Sequence, residues 1–375
     1  MRRQQVSPRP NWQKRVEEHG LHFHTLKGEP YWDESACYVF TKHDIDTLER
    51  ASYALHEMCM ELVQRVIDER LFGLFLIPKE FEDFVIQSWD DDEPFLYGRF
   101  DLAYNGVDAP KLLEYNADTP TALVEASIAQ WVWLKDQDHH GDQFNTIHDR
   151  LLETWAKIRE LDDGPIHFAA VEGNVEDYIT VEYLRDTAIQ SGFETTYIDV
   201  EAIGWDHSKS RFVDQKGEAI HRMFKLYPWE WMIRDEFGQN ILKSHTEWLE
   251  PPWKMILSCK SILPLLYEMY PDSPFLLPAS FEPIDGNHVI KPVHAREGAN
   301  IRVVVDGKTT IETDGPYADG PKVYQQLAPV KSFDGRYPVI GSWIVNGWAC
   351  GIGIREDDGM ITQNTSRFIP HRMAD

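Results

Sequence analysis

Residues 99–121, RFDLAYNGVDAPKLLEYNADTPT, read as two strands joined by a turn, and the remainder of the chain can be organised around them. FLYGRFDLAY and PKLLEYN are rich in aromatic and aliphatic residues, and NGVD between them carries the Asn-Gly signal of a tight hairpin. Alternation along a strand puts Arg99 and Asp101 on one face of the first strand, and Glu114 and Asn116 on one face of the second. Carboxylate and amide oxygens are hard ligands of the kind Mg²⁺ prefers, and an Arg beside them suits a phosphate or acyl phosphate. A solvated polar face is the ordinary alternative for an antiparallel pair. The NADTPT that follows, with small hydroxyl and amide side chains ahead of a helical stretch, favours a site.

A chain of 375 residues exceeds the usual size of one core, so two or three tightly associated lobes are expected. Hydrophobic residues make up 42%, including 13 Trp, 15 Tyr and 18 Phe, which argues against extended disorder. A net charge of −25, from 37 basic and 62 acidic residues, argues against a nucleic-acid surface and suits a cationic partner or metal-complexed phosphate. Cys37, Cys59, Cys259 and Cys350 are widely spaced, without C-x-x-C or zinc-finger spacing, as in a reducing cytosol. The basic start MRRQQVSPRPNWQKR has no apolar core, and no run of about 18 apolar residues occurs anywhere. Neither secretion nor a membrane span is expected, and the chain reads as cytoplasmic.

Leu48, Tyr53, Leu55, Met58, Leu62, Val66 and Leu71 recur at helical spacing and predict an amphipathic helix over 44–71. PKEFEDFVIQSWDDDEP reads as a shorter helix, and TALVEASIAQWVWLKDQ and FNTIHDRLLETWAKIREL as two more. IHFAAVE, VEDYITVEYLRDTAIQSG and ETTYIDV form a strand, helix, strand series, the mark of a small β-α-β lobe at 165–226. HRMFKLYPWEWMIRDEF passes from strand to helix, and PPWKMILSCKSILPLLYEMYP reads as one long apolar helix. Beyond Pro278, short strands separated by Gly, Asp and Asn turns dominate.

Several further features carry chemistry only weakly when taken singly. HVIKPVHAREGANI places Lys291 at a strand end before a loop with Gly298 and Asn300, a shape that can fold over phosphates or be a plain hairpin. It is not a P-loop, and no helix follows it. KVYQQLAPV carries Gln325, Gln326 and Leu327 on a strand whose edge could read an adenine. Lys260 within the apolar helix would ordinarily snorkel, and Arg355 ordinarily pair with a surface acid.

Together these segments resemble the synthetase part of the glutathionylspermidine synthetase family, which are ATP-grasp acid–amine ligases. RFD at 99–101, EYNAD at 114–118, CKSILPLL at 259–266, KP with REGAN at 291–300, YQQL at 324–327 and IRED at 354–357 occur in family order. The likeness runs from about residue 11 to the C-terminus, without the additional amidase domain of bifunctional members. It implies a mixed α+β and α/β chain with a circularly permuted ATP-grasp and an inserted β-α-β lobe. The expected division is 1–164 for the N-terminal helices and metal hairpin, 165–250 for the substrate lobe and 251–375 for the ATP-binding lobe. It also implies ATP and Mg²⁺ as cofactors, with Asp101, Glu114 and Asn116 as metal ligands and Lys260 and Lys291 on the nucleotide phosphates. Arg99 and Arg355 become clamps on an acyl phosphate, 294–300 becomes a lid and Gln325 to Leu327 read adenine. Thr119 and Thr121 face the acid substrate, glutathione or another peptide, and Glu176 and Asp177 match an acidic amine-binding pair, though a helix N-terminus also favours such charges. Arg367 stands where spermidine-using members carry an acid, which predicts an amine other than spermidine. A nucleotide-binding regulatory protein that keeps this fold without turnover is the alternative.

Overall fold

The computed structural model describes residues 1–374. A five-stranded antiparallel sheet grows outward from the quoted stretch, in the order Lys111–Asn116, Tyr97–Ala103, Tyr337–Val345, Trp348–Asp357, Arg367–Ile369, only the first two standing out of chain order. Arg99 stands opposite Asn116 and Asp101 opposite Glu114, and a bulge beyond Asp101 accommodates Leu113. The connection is longer than the tight hairpin read from NGVD. Residues 104–110 lie outside the strands, where Asn105 accepts from the backbone N–H groups of Val107 and Asp108 at 2.9 and 2.8 Å. Pro110 has no N–H for the ladder, so pairing resumes only after it. Two-residue turns form instead at Asp306-Gly307 and Asn346-Gly347, where all four residues have positive φ.

The back of this sheet is the anchor of the fold. Phe100, Leu102, Ile340, Ile352 and Ile354 are fully buried there, in one cluster with Leu48, Leu55 and Leu62 of the helix Lys42–Asp68. Burying each such side chain contributes about 1.5–3 kcal/mol. Thr41 and Asp44 start the helix as a reciprocal capping box, and Ser52 meets Ser342 across the interface at 2.7 Å. The front of the sheet carries Arg99, Asp101 and Arg355 around Gly341 and Gly353. A Cβ at Gly341 would lie 2.8 Å from Arg99 Cδ, so the bare backbone leaves the guanidinium its place.

A second antiparallel sheet has the order Ala279–Ser280, Lys322–Gln326, His288–Pro292, Arg302–Val305, Lys308–Glu312. A parallel sheet, Glu247–Leu249, Arg222–Lys225, Ile166–Ala170, Thr195–Asp199, is confined to 166–249, and the helix Val175–Gln190 links two of its strands. The central sheet takes strands from 97–116 and from 337–369, and so spans the boundary expected at 251. The long helix read over PPWKMILSCKSILPLLYEMYP is two, Lys254–Leu257 and Ile262–Met269. Pro264 is the reason: within one continuous helix its ring would collide with the carbonyl of Lys260, whereas here it sits in a first turn. Among the described residues, no helix is long and apolar enough to cross a membrane.

Candidate active site

Four side chains meet on the hairpin's front face. Arg99 donates from Nε and Nη2 to the two Asp101 oxygens at 2.7 and 3.1 Å, and from Nη1 to the Thr121 carbonyl at 2.7 Å. Asn116 Nδ2 donates to Glu114 at 3.1 Å and to Asp101 at 3.4 Å, which leaves its oxygen for a ligand. Burial pushes the Asp101 carboxyl up, with Arg99 pulling the other way. Glu114 goes down: burial opposes ionisation, but Lys260 at 2.9 Å, then Lys291 and Asn116, outweigh it. Among the described residues, no group of three or more His, Cys, Asp and Glu is placed to hold a metal. The hairpin offers two carboxylates and an amide, a set that fits Mg²⁺, which takes one or two protein carboxylates and completes its shell with waters and phosphates.

One side of this face opens into a cavity of about 110 Å³ between the two antiparallel sheets. Val289, Ile301, Leu327 and Val330 give it apolar walls, with Gln326 on its rim, and Lys260 and Lys291 line its inner end. The break between the two short helices brings Lys260 here, its Nζ donating to the Ala295 carbonyl at 2.6 Å. Lys291 donates to the Leu113 carbonyl at 2.9 Å and to Gln325 Oε1 at 2.7 Å. Burial pulls the Lys291 ammonium down to about 8, against the pull of Glu114. Gln325 also donates to the Leu112 carbonyl at 2.9 Å. Its side chain therefore orients the lysine and ties the sheets together at the cavity wall. Gly298 has φ of 69°, and a Cβ there would fall 2.5 Å from the Thr362 carbonyl, so the loop presses directly on that segment. Asn300 is not among the cavity's lining residues; its side chain accepts from Tyr317 N at 2.7 Å and so braces the loop.

The other side opens into a polar cavity of about 270 Å³ that reaches the parallel-sheet lobe. Thr119, Thr121, Asp177, Arg99 and Arg355 line it, and Glu176 is not among its lining residues. Arg355 Nη2 donates to the carbonyls of Gln363 and Asn364 at 2.7 and 3.0 Å, and its buried Nε has no partner among the described residues. Burial, then Glu176 and Glu297, push the Asp177 carboxyl up to about 7. Three residues here were not singled out from the sequence: Arg296, Glu297 and Glu230. Arg296 donates to Glu230 at 2.6 Å and to Thr119 Oγ1 at 2.9 Å, so the Gly loop is latched to both neighbouring walls. Arg296 and Glu297 open the REGAN run and had no role of their own in the sequence reading, and Glu230 lies within PWEW, which carried no functional reading.

Arg367 is a correction. It pairs with Glu356 on the neighbouring strand while Phe368 pairs with Arg355, so alternation sends Arg367 to the face opposite Arg355. Its position beyond IRED in the family order carries no information about the face.

The two cavities share Asp101, Glu114, Gly298 and Thr362. An apolar, lysine-ended pocket thus meets a polar, arginine-lined one at the carboxylate face. The family model described as glutathionylspermidine synthase preATP-grasp matches residues 3–374. A protein from Haemophilus influenzae, provisionally described as an acid–amine ligase, is 37% identical over 381 residues, 97% of each chain. Trypanothione synthetase from Crithidia fasciculata is 30% identical over 85% of this chain. The bifunctional glutathionylspermidine synthetase/amidase of Escherichia coli is 25% identical over 89% of it. This chain spans 54% and 58% of those two relatives. Among solved structures, a glutathione synthetase-like effector from Globodera pallida superposes with a TM-score of 0.56 at 10% identity, covering 90% of this chain and 89% of its own, which shows a shared fold of glutathione synthetase type. The chain belongs to the glutathionylspermidine synthase family of ATP-dependent acid–amine ligases.

Proposed function

We propose that this protein joins a peptide acid of the glutathione class to a cationic amine, through an acyl phosphate made at the expense of ATP. The observation that carries this reading is the meeting of the two cavities at Asp101 and Glu114. The apolar pocket suits a base, with Gln326 and Leu327 at its wall and Lys260 and Lys291 at the end where phosphates would lie. Asp101, Glu114 and Asn116 would hold Mg²⁺, which neutralises charge on the transferring phosphoryl group. Thr119 and Thr121 orient the acid so that a carboxylate oxygen attacks the terminal phosphorus and ADP leaves. Arg99 and Arg355, the latter with a free Nε, stabilise the acyl phosphate. The amine nitrogen then attacks the acyl carbon, loses a proton, and phosphate departs. In this reading the grasp is circularly permuted, its metal hairpin preceding the nucleotide sheet, with 166–249 as an inserted substrate lobe.

With Arg367 on the far face, the objection to spermidine falls. Asp177 and Glu297 line the acid-side cavity and form no ion pair among the described residues, which favours an amine carrying extra positive charge. A binding protein without turnover would not need both the carboxylate face and two arginines beside it, so that reading is not favoured. A coupled ADP-release screen over thiol peptides, amino acids and polyamines tests the proposal. ADP release that requires both an acid and an amine is expected. Tight Mg·ATP binding with no release for any pair would instead identify a binder.

A further inference from the structure

Asp118 is 1% exposed, in the turn between the carboxylate face and the threonines of the acid wall. One of its oxygens is bonded to Lys225 Nζ, and the other accepts from the backbone N–H of Trp229 at 2.9 Å. Lys225, also 1% exposed, ends a strand of the parallel sheet and lies 4.6 Å from the centre of the Trp229 ring. Trp229 Nε1 donates in turn to the Glu250 carbonyl at 3.0 Å, and the Glu250 side chain accepts from Leu96 N and Tyr97 N at 3.1 and 3.0 Å, at the root of the central hairpin.

The next residue on each side is a site residue. Thr119 follows Asp118, Glu230 follows Trp229, and Arg296 of the Gly loop grips both. One carboxylate therefore sets the spacing of the two walls that the loop must span. Two apolar side chains could fill this volume at lower desolvation cost. They could not accept bonds in fixed directions from two separate elements, which is what a carboxylate does here.

We propose that Asp118 and Lys225 are positioning residues that hold the acid wall and the parallel-sheet lobe in the register the Gly loop closes upon. The catalytic consequence rests on the reading of Thr119 and Thr121 as acid contacts, while the positioning itself does not. Amide exchange followed by mass spectrometry tests it on the full chain. Lys225→Met should speed exchange at Thr119, Thr121, Trp231 and residues 294–299 at least ~10-fold, while the helix Lys42–Asp68 stays within ~2-fold of the parent. For an acid the parent turns over, KM for the acid should rise at least ~10-fold with KM for ATP within ~3-fold. If Asp118 left without its lysine prevents folding, Asp118→Asn with Lys225→Met removes both charges and should show the same local pattern. Unchanged exchange in the three segments, or acceleration spread over the whole chain, overturns the proposal. If no acid is turned over even by the parent, the ligase reading falls and exchange alone decides the positioning.

Discussion

Lys260 Nζ lies 2.9 Å from a Glu114 oxygen, so the ammonium assigned to nucleotide phosphate already neutralises the carboxylate assigned to metal. Each group then has a partner before substrate arrives, and Mg·ATP must supply new partners to both at once. Metal alone supplies only one. Lys260→Gln should therefore tighten Mg²⁺ binding and weaken Mg·ATP binding, each by about 1.5–3 kcal/mol, as for loss of one charged hydrogen-bond partner. Titration calorimetry with Mg²⁺ alone and with Mg·ATP checks both, and two unchanged affinities would mean that Lys260 serves only to hold Ala295.

Gly341 tests the arginine floor without touching a charged group. A Cβ would sit 2.8 Å from Arg99 Cδ and displace the guanidinium from Asp101. Gly341→Ala should lower turnover about 100-fold, as for an ångström-scale misplacement, with the affinity for Mg·ATP within ~3-fold. Parent-like turnover would show that Arg99 has room to spare and that its place is not critical.

Choice of amine separates Asp177 from Arg367. Asp177→Asn should raise KM for a polyamine at least ~10-fold, whereas Arg367→Asp, on the opposite face of its sheet, should leave it within ~2-fold. An improved polyamine KM in Arg367→Asp would return that residue to the site.

Glu125 is 1% exposed and accepts from the Tyr31 hydroxyl at 2.7 Å. Burial, then Glu176, push its carboxyl up to about 7, from an ordinary 4.5. The folded state thus holds the proton more tightly than the unfolded chain does. Its contribution to stability is fully present below about pH 4.5, is lost as pH rises through about 7, and changes no further above that. Glu125→Gln keeps an acceptor for Tyr31 and never ionises, so it should be more stable than the parent at pH 8 by about 3 kcal/mol, with most of the gap closed by pH 5. Denaturant melts at the two pH values decide it, and a gap of equal size at both would contradict the shift.

What the sequence showed in advance was local. Period-two alternation puts Arg99, Asp101, Glu114 and Asn116 on one face whatever the rest of the chain does, and they are found there. The two-residue Asp-Gly and Asn-Gly turns of the C-terminal strands are local in the same sense. Long-range pairing was not visible: nothing in residues 337–345 announces that they lie against 97–103, or that Gly341 faces Arg99. The latch from Arg296 to Glu230 joins the Gly loop to the short helix Trp229–Met232, segments far apart in sequence. Pro264 forbids the continuous helix that was read through it, a rule already in hand. The face of Arg367 was not legible, because it depends on the register that pairs Glu356 with Arg367.

The central claim is that the face shared by the two cavities performs phosphoryl transfer, and Glu114→Gln examines it most directly. The substitution keeps shape and the bond from Asn116 while removing one ligand charge. With melting temperature and Mg²⁺-dependent ADP release measured on one preparation, turnover should fall at least ~100-fold while the melting temperature holds, as for loss of one preorganised electrostatic group. A lowered melting temperature with unchanged turnover per folded molecule would contradict the claim and make Glu114 a structural partner of Lys260.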